Sequence, residues 1–147
     1  MRARRRISLT ALMLVLLAAV VLAAPAYSAS NHQARGGGTT NQFLCPSGLL
    51  TVATIDFQAT KSKGTVSGFF QIFGAGVNKF GNITDGTINS GSYTLSGVVF
   101  PGAFCGGGST TLPAEATISG QCGQGVTIHY RDTHGEVGDF LGNVICS

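Results

Sequence analysis

Tryptophan is absent from this sequence, charged side chains make up only 10% of it, and no Cys-x-x-Cys pair occurs. Each shortage removes a class of function. Beyond residue 28 only Tyr93 and Tyr130 join phenylalanine as aromatics, so the amphipathic platforms that stack on sugars are scarce. The missing cysteine spacing argues against a structural zinc site built on thiolates. No Gly-x-Ser-x-Gly elbow presents a serine nucleophile. Gly106-Gly107-Gly108 lacks the Lys-Ser/Thr sequel and the helix of a phosphate loop, and reads as a flexible loop instead. Helical spacing of apolar residues is also missing from every window longer than about ten residues past the N-terminal region.

The one long apolar run lies at the N-terminus and has the make-up of an export signal. Arg2, Arg4, Arg5 and Arg6 precede a wholly apolar stretch over residues 11–24, and Ala26-Tyr27-Ser28 places small residues where a signal peptidase reads. Residues 1–28 are therefore expected to be a signal peptide, with the mature chain starting at Ala29 and localised outside the cell or on its surface. The rival is an uncleaved membrane anchor, since a span of ~20 residues can be assembled from residues 7–26 if Ser8, Thr10 and Pro25 are tolerated. Membrane association is expected only in that case.

Cleavage alters the charge balance. The full chain carries a formal net charge of +3, but the mature part sets five basic residues (Arg35, Lys61, Lys63, Lys79, Arg131) against six acidic ones (Asp56, Asp85, Glu115, Asp132, Glu136, Asp139), a net of −1. No cluster of Lys and Arg remains to neutralise phosphates, so nucleic acid is excluded as a partner. The 119 residues left when 28 of 147 are removed suit a single domain.

Cys45, Cys105, Cys122 and Cys146 are an even set in a chain bound for an oxidising compartment, which reads as two disulfides. Of the three connectivities, the spacing favours Cys105 with Cys122, closing a short loop, and Cys45 with Cys146, tying the start of the first strand to the end of the last.

Residues 29–42, with Asn31, Gln33, Gly36-Gly37-Gly38, Thr39 and Thr40, are almost devoid of apolar side chains and are expected to form a flexible polar tether. From there residues 43–147 become short Val-, Ile-, Phe- and Thr-rich segments broken by Gly, Asn and Ser, the rhythm of an all-β domain. Seven strands are expected, over residues 50–60, 65–73, 81–88, 92–100, 114–122, 125–131 and 140–146. The predicted fold is an antiparallel β-sandwich or partly closed barrel of about seven strands with two disulfides. Phe69, Phe70 and Phe73 lie on both faces of the second segment, which predicts a central strand between two apolar layers or, as the functional alternative, a pocket for a small hydrophobe. Thr65-Val66-Ser67-Gly68, Thr94-Leu95-Ser96-Gly97 and Thr117-Ile118-Ser119-Gly120 repeat one pattern, and a glycine at the same point of three strands predicts a curved sheet with a seam of close packing. Asn82-Ile83-Thr84 matches the N-glycosylation pattern.

Chemistry is concentrated in residues 129–139. His129 and His134 with Asp132, Glu136 or Asp139 supply the nitrogen and oxygen donors that a divalent transition metal takes. Alternation of Val126, Ile128 and Tyr130 against Thr127, His129 and Arg131 instead points His129 outward, and makes residues 132–138 an exposed, solvated hairpin loop. Asp56, Glu115 and Asp139 are further acids that folding has the freedom to bring together for glycoside hydrolysis, though nothing in the pattern selects them. No catalytic residues and no resident cofactor follow from these motifs. The expected function is a secreted or cell-surface module with a binding or structural role toward an extracellular protein or surface component. The alternative is a small extracellular metal-binding protein or metal-dependent enzyme using His129, His134, Asp132 and Glu136.

Overall fold

A computed structural model describes residues 31–106, 108–109 and 113–147. The expected signal at 1–28 lies outside the described residues. The chain is all-β, with strands β1 (His32–Leu44), β2 (Leu50–Ser62), β3 (Thr65–Gly74), β4 (Val77–Ile88), β5 (Ser92–Val99), β6 (Phe104–Cys105), β7 (Gly108–Ser109), β8 (Ala114–Gln121), β9 (Gly123–Asp132) and β10 (Val137–Cys146). Eight of them close into an antiparallel barrel in the order β3-β2-β1-β10-β9-β8-β5-β4, with β3 pairing β4 to complete the ring. Long strands adjacent in sequence are adjacent in space, so the barrel is up-and-down. The two-residue β6 adds to the start of β4 below the end of β5, and β7 pairs with β6 outside the ring.

Period-2 alternation is obeyed around the ring. Ala53, Ile55, Phe57 and Ala59 of β2, Val66, Phe70 and Ile72 of β3, Tyr93, Leu95 and Val99 of β5, and Ile128 and Tyr130 of β9 all point inward and are buried. Outside, Thr, Ser and Gln are interspersed with exposed apolar side chains, among them Val52, Phe69, Phe73, Leu141 and Ile145. Such an interior is just wide enough for side chains to fill it. Two aromatic groups do so: Phe43 with Tyr130 and Phe140 (ring centroids 5.9 and 5.8 Å), and Phe57 with Tyr93 at 5.1 Å. The repeated glycines make room for large residues opposite them. Ile83 lies between Gly68 of β3 and Gly97 of β5, and Gly120 lies between Tyr93 and Ile128. A Cβ at Gly120 would come within 2.9 Å of Tyr93 Oη. The expected seam of close packing is therefore present.

Four expectations are corrected. Residues 32–42 of the expected 29–42 tether instead belong to β1, hydrogen-bonded to β2 on one side and β10 on the other. The glycine triplet serves close approach rather than flexibility, since a Cβ at Gly36 would lie 2.5 Å from Asn143 O and one at Gly38 2.7 Å from Leu141 O. The long strands number eight rather than seven. The disulfides join Cys45 to Cys105 and Cys122 to Cys146. Hairpin order explains this pairing: Cys45 follows β1 and Cys105 sits in β6 at one end of the barrel, while Cys122 and Cys146 sit where β8 turns into β9 and β10 finishes, at the other. Finally, β3 is not sandwiched between layers; Phe70 is inside, whereas Phe69 and Phe73 face outward and are exposed.

If β1 closes the ring, a chain beginning at Phe43 should lose cooperative unfolding, because β2 and β10 would be left with unpaired edges. Thermal melting followed by circular dichroism checks this. A sharp, unshifted transition in the shortened chain would restore the tether.

Candidate functional site

The densest chemistry in the described residues lies inside the barrel end at which β9 finishes and β4 begins. β4 continues its inward alternation as Val77, Lys79, Gly81 and Ile83, so a lysine occupies a core position, 1% exposed. A buried ammonium needs partners. They come from the turn between β9 and β10, where Lys79 Nζ donates to Asp132 Oδ2 at 2.9 Å and is in direct contact with Glu136 Oε2. Both carboxylates are buried as well. This corrects the expected solvated loop: Asp132 and Glu136 turn inward, because the lysine is there to receive them.

Asp132 organises the turn. Its Oδ1 accepts the backbone N–H groups of His134 (3.0 Å) and Glu136 (3.1 Å), and its Oδ2 accepts Tyr130 Oη–H (2.8 Å) as well as Lys79. Outside the turn, Thr133 is tied to β8 through Thr133 N–H to Glu115 O (2.9 Å) and Glu115 N–H to Thr133 Oγ1 (3.0 Å). Tyr130 in turn packs between Phe43 and Phe70, at 5.9 and 6.0 Å. Burial holds the Lys79 pKa below its usual value, outweighing the hydrogen bond and charge of Asp132, which act to raise it. Burial pushes the Tyr130 phenol well up, with the Asp132 charge and hydrogen bond adding to it, and burial alone raises Tyr93 at the other end. The Tyr93 hydroxyl has no hydrogen-bond partner.

Of the four expected metal-binding residues, the fold brings together three. Donor atoms of Asp132, His134 and Glu136 lie within 4.8 Å of one another, and His134 Nδ1 is buried without a hydrogen-bond partner. His129 is elsewhere, on the outer face of β9, where its Nδ1 meets Asp139 Oδ1 across the β9–β10 pair at 2.7 Å with both side chains more than half exposed. Within the cluster, Asp132 already accepts four hydrogen bonds, about the full capacity of a carboxylate, and the cation between the two acids is the ammonium of Lys79. The arrangement is therefore an amine held against two carboxyl groups in an apolar enclosure. Asp56, Glu115 and Asp139, the other acids weighed from sequence, are exposed on β2, β8 and β10, no two of which are neighbours in the ring. Lys79 is the site residue that the sequence reading missed. Its signal was the inward phase of Val77, Gly81 and Ile83, legible only with β4 started four residues earlier.

Removing one partner of a buried ion pair typically costs about 3–5 kcal/mol, so Asp132→Ala should destabilise the chain strongly, whereas His129→Ala should stay within about 0.5 kcal/mol. Urea unfolding of both variants is the measurement. Equal effects would mean that the buried network contributes nothing.

Tyr93 and Tyr130 predict an alkaline weakness. A group whose folded pKa is raised contributes stability that is complete below its unfolded value, here 10.0, and is lost as pH rises beyond it. Each tyrosine should thus remove about 1.4 kcal/mol per pH unit above that value. Lys79 as an ammonium acts in the opposite sense only up to 10.5, so the loss is clearest above it. Tyrosinate absorbance should appear together with unfolding; its appearance in the folded chain near pH 10 would contradict the burial of both rings. Comparison with known protein families, with curated proteins and with solved structures finds no match to this chain.

Proposed function

We propose that the mature chain is an exported binding or structural module that meets an extracellular protein or surface component through its outer wall. The observation that carries this reading is the distribution of phenylalanine. Phe69, Phe73, Phe80, Phe100 and Phe104 are all at least 36% exposed. They gather on β3, β4, β6 and the loop after β5. Phe73 stands opposite Asn78, which stands opposite Phe104, while the rings of Phe80 and Phe100 meet edge-on at 5.7 Å. The outward residues between them on β3 and β4 are Gln71, Asn78 and Asn82, none of them charged.

Side chains of this size present up to 150–250 Å² each, so the five rings together expose on the order of 400 Å² of apolar surface. Apolar patches of that extent are often functional on soluble proteins. An uncharged aromatic wall suits the apolar core of a protein interface, where charged residues are depleted. The Cys45–Cys105 disulfide anchors β6, which carries Phe104, and the two disulfides are compatible with an extracellular location.

The native chain should enhance the fluorescence of anilinonaphthalene sulfonate, and Phe69→Ser with Phe73→Ser should abolish most of that signal while changing stability by about 0.5 kcal/mol or less per site. A native chain that leaves the dye dark would remove the basis for a binding wall.

A further inference from the structure

We infer that Lys79 and Glu136 are a covalent pair in the mature protein, joined by an amide between Nζ and Cδ that forms autocatalytically once the barrel has closed, with Asp132 relaying the proton. The geometry carries this. Nζ is in direct contact with the Glu136 carboxyl and 2.9 Å from Asp132 Oδ2, and all three side chains are no more than 2% exposed. The two carboxyl groups are not equivalent. Asp132 is fixed through both oxygens as the acceptor of four hydrogen bonds, from Tyr130, two backbone N–H groups and Lys79. Glu136, held by its one described side-chain hydrogen bond from Lys79, is the less constrained of the two.

The reaction needs the neutral amine and the carboxylic acid, which are reached by moving one proton from Nζ to Glu136 inside the pair. An apolar enclosure favours that transfer, because the two separated charges lose hydration that the neutral pair does not need; the lowered pKa of Lys79 is in the same sense. The Nζ lone pair then attacks Cδ. Asp132 Oδ2 takes the proton released from Nζ and returns it to the departing oxygen, the Cδ–O bond breaks, and water leaves. An amine and a carboxylic acid have become an amide and water, with no oxidant, reductant or cofactor. Contact in a fixed orientation supplies the effective concentration that this condensation lacks in solution. His134 belongs to the same cluster, its ligand atom within 4.8 Å of those of Asp132 and Glu136, and its buried Nδ1 has no hydrogen-bond partner.

Such a bond would join β4 to the turn between β9 and β10, a third staple at the same end of the barrel as Cys45–Cys105 and, unlike the disulfides, indifferent to reductant. The test is intact mass of the exported, folded chain after denaturation and full reduction, referred to its sequenced N-terminus. The expected mass is one water below that of the sequence. Trypsin should fail to cut after Lys79, and the peptide containing Lys79 should stay joined to the one containing Glu136. Lys79→Arg and Glu136→Ala should both restore the full mass. A full-length mass in the native chain overturns the inference whatever the variants do. So does a missing water that maps anywhere but between residues 79 and 136, an Asp132 linkage included.

Discussion

The width of a closed eight-stranded barrel is the constraint from which most of this structure follows. Closure satisfies every backbone edge but fixes the volume inside, and each inward position must be filled without being overfilled. The molecule meets this by opposing small residues to large ones: Gly68 and Gly97 flank Ile83, Gly120 stands between Tyr93 and Ile128, and β1 contributes almost no interior volume between Ala34 and Phe43. Glycine is thus concentrated where strands must come together. The interior is spent on packing, and chemistry is left with the ends and the outer wall.

The exception is Lys79. An ammonium in such a core would be untenable alone, and the turn after β9 is shaped by the need to answer it. Asp132 gathers the turn's own N–H groups on one oxygen and the interior hydroxyl and amine on the other, so the same residue closes the hairpin and neutralises the core. Buried polar networks of this kind are favourable only when each member is satisfied. Here His134 Nδ1 remains outside the hydrogen bonding.

Much of the barrel was legible in sequence because alternation is a side-chain signal. Residues 50–60, 65–73, 92–100 and 125–131 alternate strongly and fall within β2, β3, β5 and β9, apart from one residue past the end of β5. β1 was invisible for the same reason: Gly36-Gly37-Gly38 has no side chains to alternate, and a strand paired on both sides through its backbone looks in sequence like a linker. The disulfide pairing failed in consequence, since Cys45 was placed at the start of the first strand rather than just after it. At the site, the acids and histidines of residues 129–139 were conspicuous, and three of them do converge. What sequence left out was the partner 53 residues away that decides which way they face. Phe69 and Phe73 misled in the opposite direction, since an aromatic on an outer wall has the same letter as one in a core.

The pairing of β1 with β10 has a consequence for how the chain reaches this state. The first strand to emerge is completed by the last, with Gln33 and Ser147 exchanging backbone hydrogen bonds at the junction. During synthesis, β1 therefore waits with one edge open while the rest of the domain is delivered, the period in which an unpaired strand recruits strangers. Its composition is suited to waiting. A segment of Gly, Thr, Asn and Gln with scarcely an apolar side chain is a poor template for intermolecular pairing with a hydrophobic face, and β10 covers its second edge by setting Val144 beside Gly36 and Gly142 beside Gly38.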